Sequence, residues 1–254
     1  MDVRAVLLDL QGVLYEAGTP FPGAREAVEH MAAAGLSLRF LTNTTTRPAH
    51  AIAERMRDMG FVLENSQLFT PVMAARGVLQ DRQLTRAHLA ADPSLADDLE
   101  GFTLCDSDVE AIILGDLEQD FTWQRLNELF AMLRAGAQLI ALHKNRYCRR
   151  GEDLGLDLGP FVAALEYATR EEATVVGKPS PAFFEMAIRD MNADPSATLM
   201  VGDDIDSDIG GGAEAGLMTV QVMTGKFTKG DTKSAVQPSH RVTSIADLPG
   251  LLGI

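Results

Sequence analysis

The sequence has little cysteine, no dense cluster of Lys or Arg and no long apolar run, and each shortage removes a class of protein. Its two cysteines, Cys105 and Cys148, stand far apart and in no CxxC or Cys/His spacing. A disulfide framework is therefore not expected, and each thiol reads as a buried or surface passenger. Lys and Arg number 22 against 36 Asp and Glu, a formal net charge of −14. Such a chain lacks the basic footprint that binds a nucleic-acid backbone. A small phosphorylated substrate is not excluded, because one lysine and a bound cation can neutralise it locally. No apolar stretch approaches the ~18 residues needed to span a bilayer, and the N-terminus begins on a strand pattern rather than a signal-peptide pattern. The expectation is a cytoplasmic protein with neither nucleic acid nor membrane as partner.

What is present is a chain of 254 residues, 46% of them hydrophobic, enough for a large core domain with a smaller one attached. The first third alternates strand and helix. "VRAVLLDL" (Val3–Leu10) is apolar at successive positions, as in a parallel strand covered on both faces. "PGAREAVEHMAAAG" (Pro22–Gly35) reads as a helix with Pro at its start and Gly past its end. A second strand, Leu36–Asn43, and a second helix, Arg47–Gly60, follow. This order implies a right-handed βαβ unit. The last third alternates in the same way. Strand Ala173–Gly177, helix Ser180–Met191, strand Ala197–Asp204 and strand Met218–Gly225 precede a loop-rich tail ending in a short strand and helix.

The middle, roughly residues 84–170, carries the strands "AIILGD" and "QLIALHKN" around a helix striped with Phe121, Leu126, Leu129, Phe130 and Leu133. The predicted fold class is α/β, a doubly wound, Rossmann-like parallel-sheet core with an inserted α/β cap domain. The core takes residues 1–80 and 173–254, and the cap takes 81–172.

In an open parallel sheet, ligands bind beyond the carboxyl ends of the strands. Four predicted strands end in complementary groups: Asp9, then Thr42-Asn43, then Lys178, then "GDDIDSD" from Asp203 to Asp208. A carboxylate, a hydroxyl, an ammonium and an acidic cluster are the parts needed to move a phosphoryl group. The carboxylate attacks phosphorus, the hydroxyl and backbone N–H groups hold the non-bridging oxygens, lysine balances charge, and the acidic cluster carries Mg²⁺. Singly, each has a bland reading: a turn former, an N-cap, a solvated lysine, or acids favouring a helix N-terminus. "DIDSDIG" also resembles a calcium loop, but Ile209 stands where that loop needs Gly and Ala215 where it needs Glu. "GGGAEAG" is no dinucleotide fingerprint.

The ordered set "DLQGVL" … "LTN" … "GKPSP" … "VGDDIDSDIGGGAEAG" resembles the haloacid dehalogenase superfamily of Mg²⁺-dependent phosphohydrolases. The insertion is similar to the large α/β cap of its class II members, and "RFLTNTT", "GPFVAALEYAT" and "MTGKF" point to a narrower class IIA subgroup. The resemblance implies that Asp9 forms an aspartyl-phosphate. Asp9 and Asp203 would ligate Mg²⁺ with the main-chain carbonyl of Gln11, and Asp204 and Asp208 would shape that metal site. Thr42 and Asn43 would bind phosphate, and Lys178 would stabilise both Asp9 and the transferred group. The cap would choose the substrate, a small phosphorylated molecule or phosphoamino acid, and the family's pairing through caps allows a homodimer.

One position departs. Most phosphatases of the superfamily have Asp two residues after the nucleophile, and the narrower subgroup has Ser; here stands Gln11. Glutamine neither gives nor takes a proton at neutral pH. A missing general acid costs ~10²–10⁴-fold, most where the leaving group is a basic alkoxide. The expectation is a phosphatase that favours P–N, pyrophosphate or aryl phosphate bonds. The alternative is a catalytically weak phospho-ligand binding or regulatory protein on the same fold. A metal-free dehalogenase has no use for "GDDIDSD", and a response-regulator receiver places its acidic pair after the first strand. In the cap, His143 and Lys144 read as structural or solvated and Asp157 as a candidate contributor. His30 and His50 read as surface, and the stripe around Trp123 and Phe130 as cap core or a dimer surface.

Overall fold

The computed structural model describes residues 2–150 and 153–254. They form two compact units. One comprises the chain up to Thr42, Ala49–Phe69 and Lys178–Ile254; the other comprises Asn43–Pro48 and Thr70–Gly177.

The first unit is built on a six-stranded, wholly parallel sheet. Its order is His240–Val242, Met218–Val222, Thr198–Gly202, Ala5–Asp9, Ser37–Leu41, Leu68–Phe69. Ala5–Asp9 is buried along its whole length, which is why its sequence is a continuous apolar run rather than an alternating one. Leu8 sits opposite Phe40 on one side and Val201 on the other. The helix Ala24–Ala33 turns Ala24, Ala27, Val28 and Met31 inward, the i, i+3, i+4, i+7 spacing of an amphipathic face. Phe183 and Phe184, fully buried on the helix Pro181–Asp190, meet edge to face, with ring centroids 5.8 Å apart. The strand order reverses between Ala5–Asp9 and Thr198–Gly202. This is the switch point at which doubly wound sheets place their ligands, and Asp9 and Asp203 stand at it.

The second unit has its own five-stranded parallel sheet, ordered Thr174–Val175, Gln138–Ala141, Ala111–Leu114, Arg86–Ala90, Thr103–Leu104. Helices Trp123–Arg134 and Leu158–Thr169 cover it through Leu129, Leu158, Val162 and Leu165, packed on Ile112, Leu114 and Leu139. Phe121 and Phe161 stack with centroids 3.7 Å apart. A separate two-stranded antiparallel sheet pairs Tyr147–Arg150 with Asp153–Leu156.

Two expectations are corrected. The strand predicted over Ala173–Gly177 shrinks to Thr174–Val175 and joins the second unit's sheet, beside Ile140 and Ala141, so Lys178 does not end a strand of the first sheet. A two-residue β-branched run carries no information about which sheet it will join. Of the two readings of the stripe around Trp123 and Phe130, cap core does not hold for Trp123, which opens the helix Trp123–Arg134 and is 82% exposed. Among the described residues no helix is long and apolar enough to cross a membrane.

Candidate active site

Asp9 ends its strand 7% exposed, and its Oδ1 accepts a hydrogen bond from Lys178 Nζ. The same ammonium donates to Asp208 Oδ1 at 2.6 Å. Lys178, itself 4% exposed, thus bridges a carboxylate from the first strand and one from the turn after Thr198–Gly202. Asp203 completes the cluster: one carboxylate oxygen each from Asp9, Asp203 and Asp208 lie within 4.8 Å of one another.

Local structure explains how three acids come so close. After Asp203 the chain makes a π-helical turn, Ile205–Gly210. Asp204 caps that turn, accepting from the N–H groups of Asp206 and Ser207, both at 3.0 Å. The Asp204 N–H donates to Asp208 Oδ2 at 3.2 Å, so the cap also fixes the third acid of the cluster. Gly202 leaves room for Asp208, whose Cβ a side chain there would overlap.

The electrostatics are those of an under-compensated cluster. Burial, with Lys178 pulling the other way, pushes Asp9 up to about 6. Burial together with the charges of Asp9 and Asp208 pushes Asp203 up to about 7. Burial works against the Lys178 ammonium, but Asp208 and Asp9 outweigh it and hold its pKa above the usual lysine range. A second ammonium, that of Lys226, pairs with Asp204 at 3.0 Å and helps keep that acid below the ordinary range despite its burial. Once all three carboxylates are ionised, one lysine leaves two negative charges inside the protein, and the donors are all hard oxygens. That set fits a divalent cation such as Mg²⁺.

The other expected site residues are placed as follows. Thr42, 7% exposed, lies one residue past Leu41, which is in register with Asp9 on the neighbouring strand. Gln11 is exposed; its Nε2 donates to Glu16 Oε1 at 3.3 Å. Asn43 groups with the second unit, its Oδ1 3.0 Å from where a Cβ on Gly177 would stand.

The cap candidates have structural work within the second unit. Asp157 caps the helix Leu158–Thr169, accepting from the Leu158 N–H at 2.8 Å, and lies 3.8 Å from His143 Nε2. Burial holds the His143 imidazole below its usual range, against the pull of Asp157 and Asp116. Lys144 pairs with Glu166 at 2.6 Å. His30 and His50 are exposed, and among the described residues Cys105 and Cys148 form no disulfide.

Sequence reasoning assigned no role to Thr224, Gly225 and Lys226, although "MTGKF" stood out as a motif. Their loop reaches the acidic cluster: the Lys226 main-chain N–H donates to Asp203 Oδ2 at 2.6 Å.

Known proteins agree with this architecture. A family model described as haloacid dehalogenase-like hydrolase matches residues 6–105, and a HAD-hydrolase-like model matches residues 175–248. The human protein named haloacid dehalogenase-like hydrolase domain-containing protein 2 is 39% identical over 94% of this chain and 91% of its own. The Danio rerio phospholysine phosphohistidine inorganic pyrophosphate phosphatase is 37% identical over 96% of this chain and 91% of its own. Among solved structures, NagD from E. coli K-12 is 28% identical and superposes with a TM-score of 0.87 over 97% of this chain and 98% of its own. The p-nitrophenyl phosphatase from Archaeoglobus fulgidus, at 22% identity and a TM-score of 0.91 over 99% of this chain and 100% of its own, shares the fold. With relatives above 35% identity along nearly its whole length and an Asp–Lys–Asp cluster at the switch point of a doubly wound sheet, the chain belongs to the haloacid dehalogenase-like hydrolases.

Proposed function

We propose that the protein is a Mg²⁺-dependent phosphatase that works through an aspartyl-phosphate on Asp9 and selects substrates by leaving group. The observation that carries this reading is the Lys178 bridge, which holds the Asp9 carboxylate beside Asp203 and Asp208 at the sheet's switch point. An Asp9 oxygen attacks phosphorus, the bond to the leaving atom breaks, and its electron pair departs with that atom. Water then attacks the same phosphorus, the Asp9–phosphorus bond breaks, the Asp9 carboxylate is regenerated, and inorganic phosphate leaves carrying the protons of the attacking water. Lys178 keeps Asp9 ionised for attack and offsets the charge of the phosphoryl oxygens. Thr42 and Asn43 hold those oxygens. Asp9, Asp203, Asp208 and the Gln11 carbonyl would hold Mg²⁺. When bound, that ion neutralises the anionic nucleophile and the anionic phosphoryl group, which otherwise repel. The second unit, as a cap, would choose the substrate.

Gln11 sets the selectivity. It keeps a backbone carbonyl for the metal but has no proton for the leaving atom. Substrates whose leaving group is an aryl oxide, a phosphate, or a nitrogen that carries its own proton are therefore preferred. The relatives named phospholysine phosphohistidine inorganic pyrophosphate phosphatase support P–N and P–O–P bonds as the class. The same glutamine favours a second reading, a slow phospho-ligand binding protein. A leaving-group series separates them: Mg²⁺-dependent phosphate release from p-nitrophenyl phosphate, pyrophosphate and imidodiphosphate should far exceed release from simple alkyl phosphates. Equal turnover of aryl and alkyl esters would refute the selectivity. Release that is negligible throughout, with ligand still bound, would favour the binding reading.

The raised carboxyls predict how pH acts on stability. A carboxyl whose folded pKa lies above its unfolded value contributes stability below the ordinary carboxylate range, and this is lost as pH rises through the folded value. For Asp9 and Asp203 that loss runs through about 6 and about 7. The metal-free protein should therefore lose Tm between about pH 5.5 and pH 8 through these groups. Mg²⁺, which requires deprotonated ligands, should raise Tm more at about pH 8 than at about pH 5.5. A Mg²⁺ effect equal at both pH values in differential scanning calorimetry would contradict the assignment.

A further inference from the structure

The loop that follows the strand Met218–Val222 makes three contacts with the nucleophile and acidic loops, and the phosphoryl chemistry above uses none of them. The Thr224 hydroxyl donates to the Gly12 carbonyl at 2.5 Å, across 212 residues of sequence. The Lys226 main-chain N–H donates to Asp203 Oδ2 at 2.6 Å, and the Lys226 ammonium pairs with Asp204 Oδ2 at 3.0 Å. Between them Gly225 has a φ of +59°, and Gly12 opposite has a φ of +89°. A Cβ on either glycine would overlap Asp203 Oδ2, so two glycines from two loops enclose one carboxylate oxygen. From behind, the fully buried Gln221 amide donates to the Asp203 carbonyl at 3.3 Å and to Asp231 Oδ2 at 2.8 Å.

Asp203 is thereby held at both ends. Its main chain is tied to Gln221, and its Oδ2 accepts from the Lys226 N–H between the two glycines. The Thr224 tie to the Gly12 carbonyl holds the Gly12–Val13 peptide, one peptide unit beyond the Gln11 carbonyl proposed for the metal. One loop therefore sets the position of two of the proposed metal donors without offering a ligand of its own. Contacts of this kind, one step removed from the ion, typically govern metal affinity as strongly as the ligands' identity.

We propose that Thr224–Gly225–Lys226 is a clamp that positions Asp203 and the Gln11–Gly12 turn, and so sets the divalent-cation affinity of the site. The inference rests on the metal reading under Proposed function and deepens it by adding positioning residues that never touch phosphate.

The test is Mn²⁺ binding to the full chain, measured by electron paramagnetic resonance without substrate. Thr224→Val keeps shape and removes the hydroxyl, and should raise the Mn²⁺ Kd by about 10- to 100-fold. Thr224→Ser keeps the donor and should restore affinity to within about threefold of wild type. Gly225→Ala should weaken binding at least as much as Thr224→Val; should it fail to fold, the Thr224 pair alone decides. Thr224→Val binding Mn²⁺ as tightly as wild type, or Thr224→Ser binding as weakly as Thr224→Val, overturns the clamp while leaving the metal site standing. Wild type and Asp203→Asn binding Mn²⁺ alike, or neither binding it, removes the metal reading and the clamp with it.

Discussion

Asp9→Asn should lower Mg²⁺-dependent phosphate release from p-nitrophenyl phosphate by on the order of 10⁴- to 10⁶-fold, because an amide oxygen is no nucleophile and no other group inherits the attack. The loss should come without loss of the fold. The charge of Asp9 is on balance disfavoured where it sits, since burial, together with Asp208, outweighs the pull of Lys178 on its carboxyl. A neutral amide of the same shape removes one of the two uncompensated charges. The metal-free variant should therefore melt at or above the wild-type temperature at about pH 8.

This pairing of outcomes distinguishes a nucleophile from a structural acid. Removing one partner of a buried ion pair that stabilises a fold typically costs ~3–5 kcal/mol. A structural Asp9 would show that cost, with activity falling because the protein unfolds. Lys178→Met is the contrast. It strands Asp9 and Asp208 without the ammonium that each contacts. It should lower both activity and the melting temperature, the latter most at about pH 8, where the carboxylates are ionised. Asp9→Asn retaining more than about a tenth of wild-type turnover would place the attack on another residue.

The parts of this site that could be read from sequence are those whose physics leaves a mark on residue type. A strand buried on both faces must be apolar throughout, so "AVLLD" and "TLMVG" identify themselves. An acid directly after such a run lies at a strand's carboxyl end, where a doubly wound sheet gathers ligands, so Asp9 and Asp203 are legible as partners in the sequence. Lys178 was matched for a partly wrong reason. It does reach Asp9 and Asp208, but the strand before it belongs to the other sheet.

What stayed illegible depends on backbone groups and on individual pairings. The Lys226 contact to Asp203 is made by a main-chain N–H, which every residue but proline has. The Gly12 and Gly225 positions follow from two loops crossing over one oxygen, a coincidence no local pattern records. Asp157, a candidate contributor from its sequence, caps a helix, a use that leaves no distinct mark in the sequence because the same side chain serves either purpose. The stripe around Trp123 read as cap core or a dimer surface, and exposure at the helix start removes the first of these for Trp123.

Gln11→Asp should raise turnover of alkyl phosphates by about 10²-fold or more while changing p-nitrophenyl phosphate turnover little, since only the basic leaving group gains from a proton donor. The surroundings favour such a gain. The Gln11 amide now donates to Glu16 Oε1 at 3.3 Å; an aspartate, one methylene shorter, would stand further from that carboxylate but still on its side of the turn. A like charge nearby raises a carboxyl pKa, and a raised pKa keeps more of the acid protonated near neutral pH, as a proton donor requires. The gain should therefore fade as pH rises. Adding Glu16→Gln to Gln11→Asp should move that decline to lower pH, because the repulsion that sustains the protonated form is gone. Steady-state rates on paired alkyl and aryl esters from about pH 5 to about pH 9 measure both effects. No gain on alkyl esters would mean that another residue already protonates the leaving atom, and the selectivity assigned to Gln11 would then have to come from elsewhere.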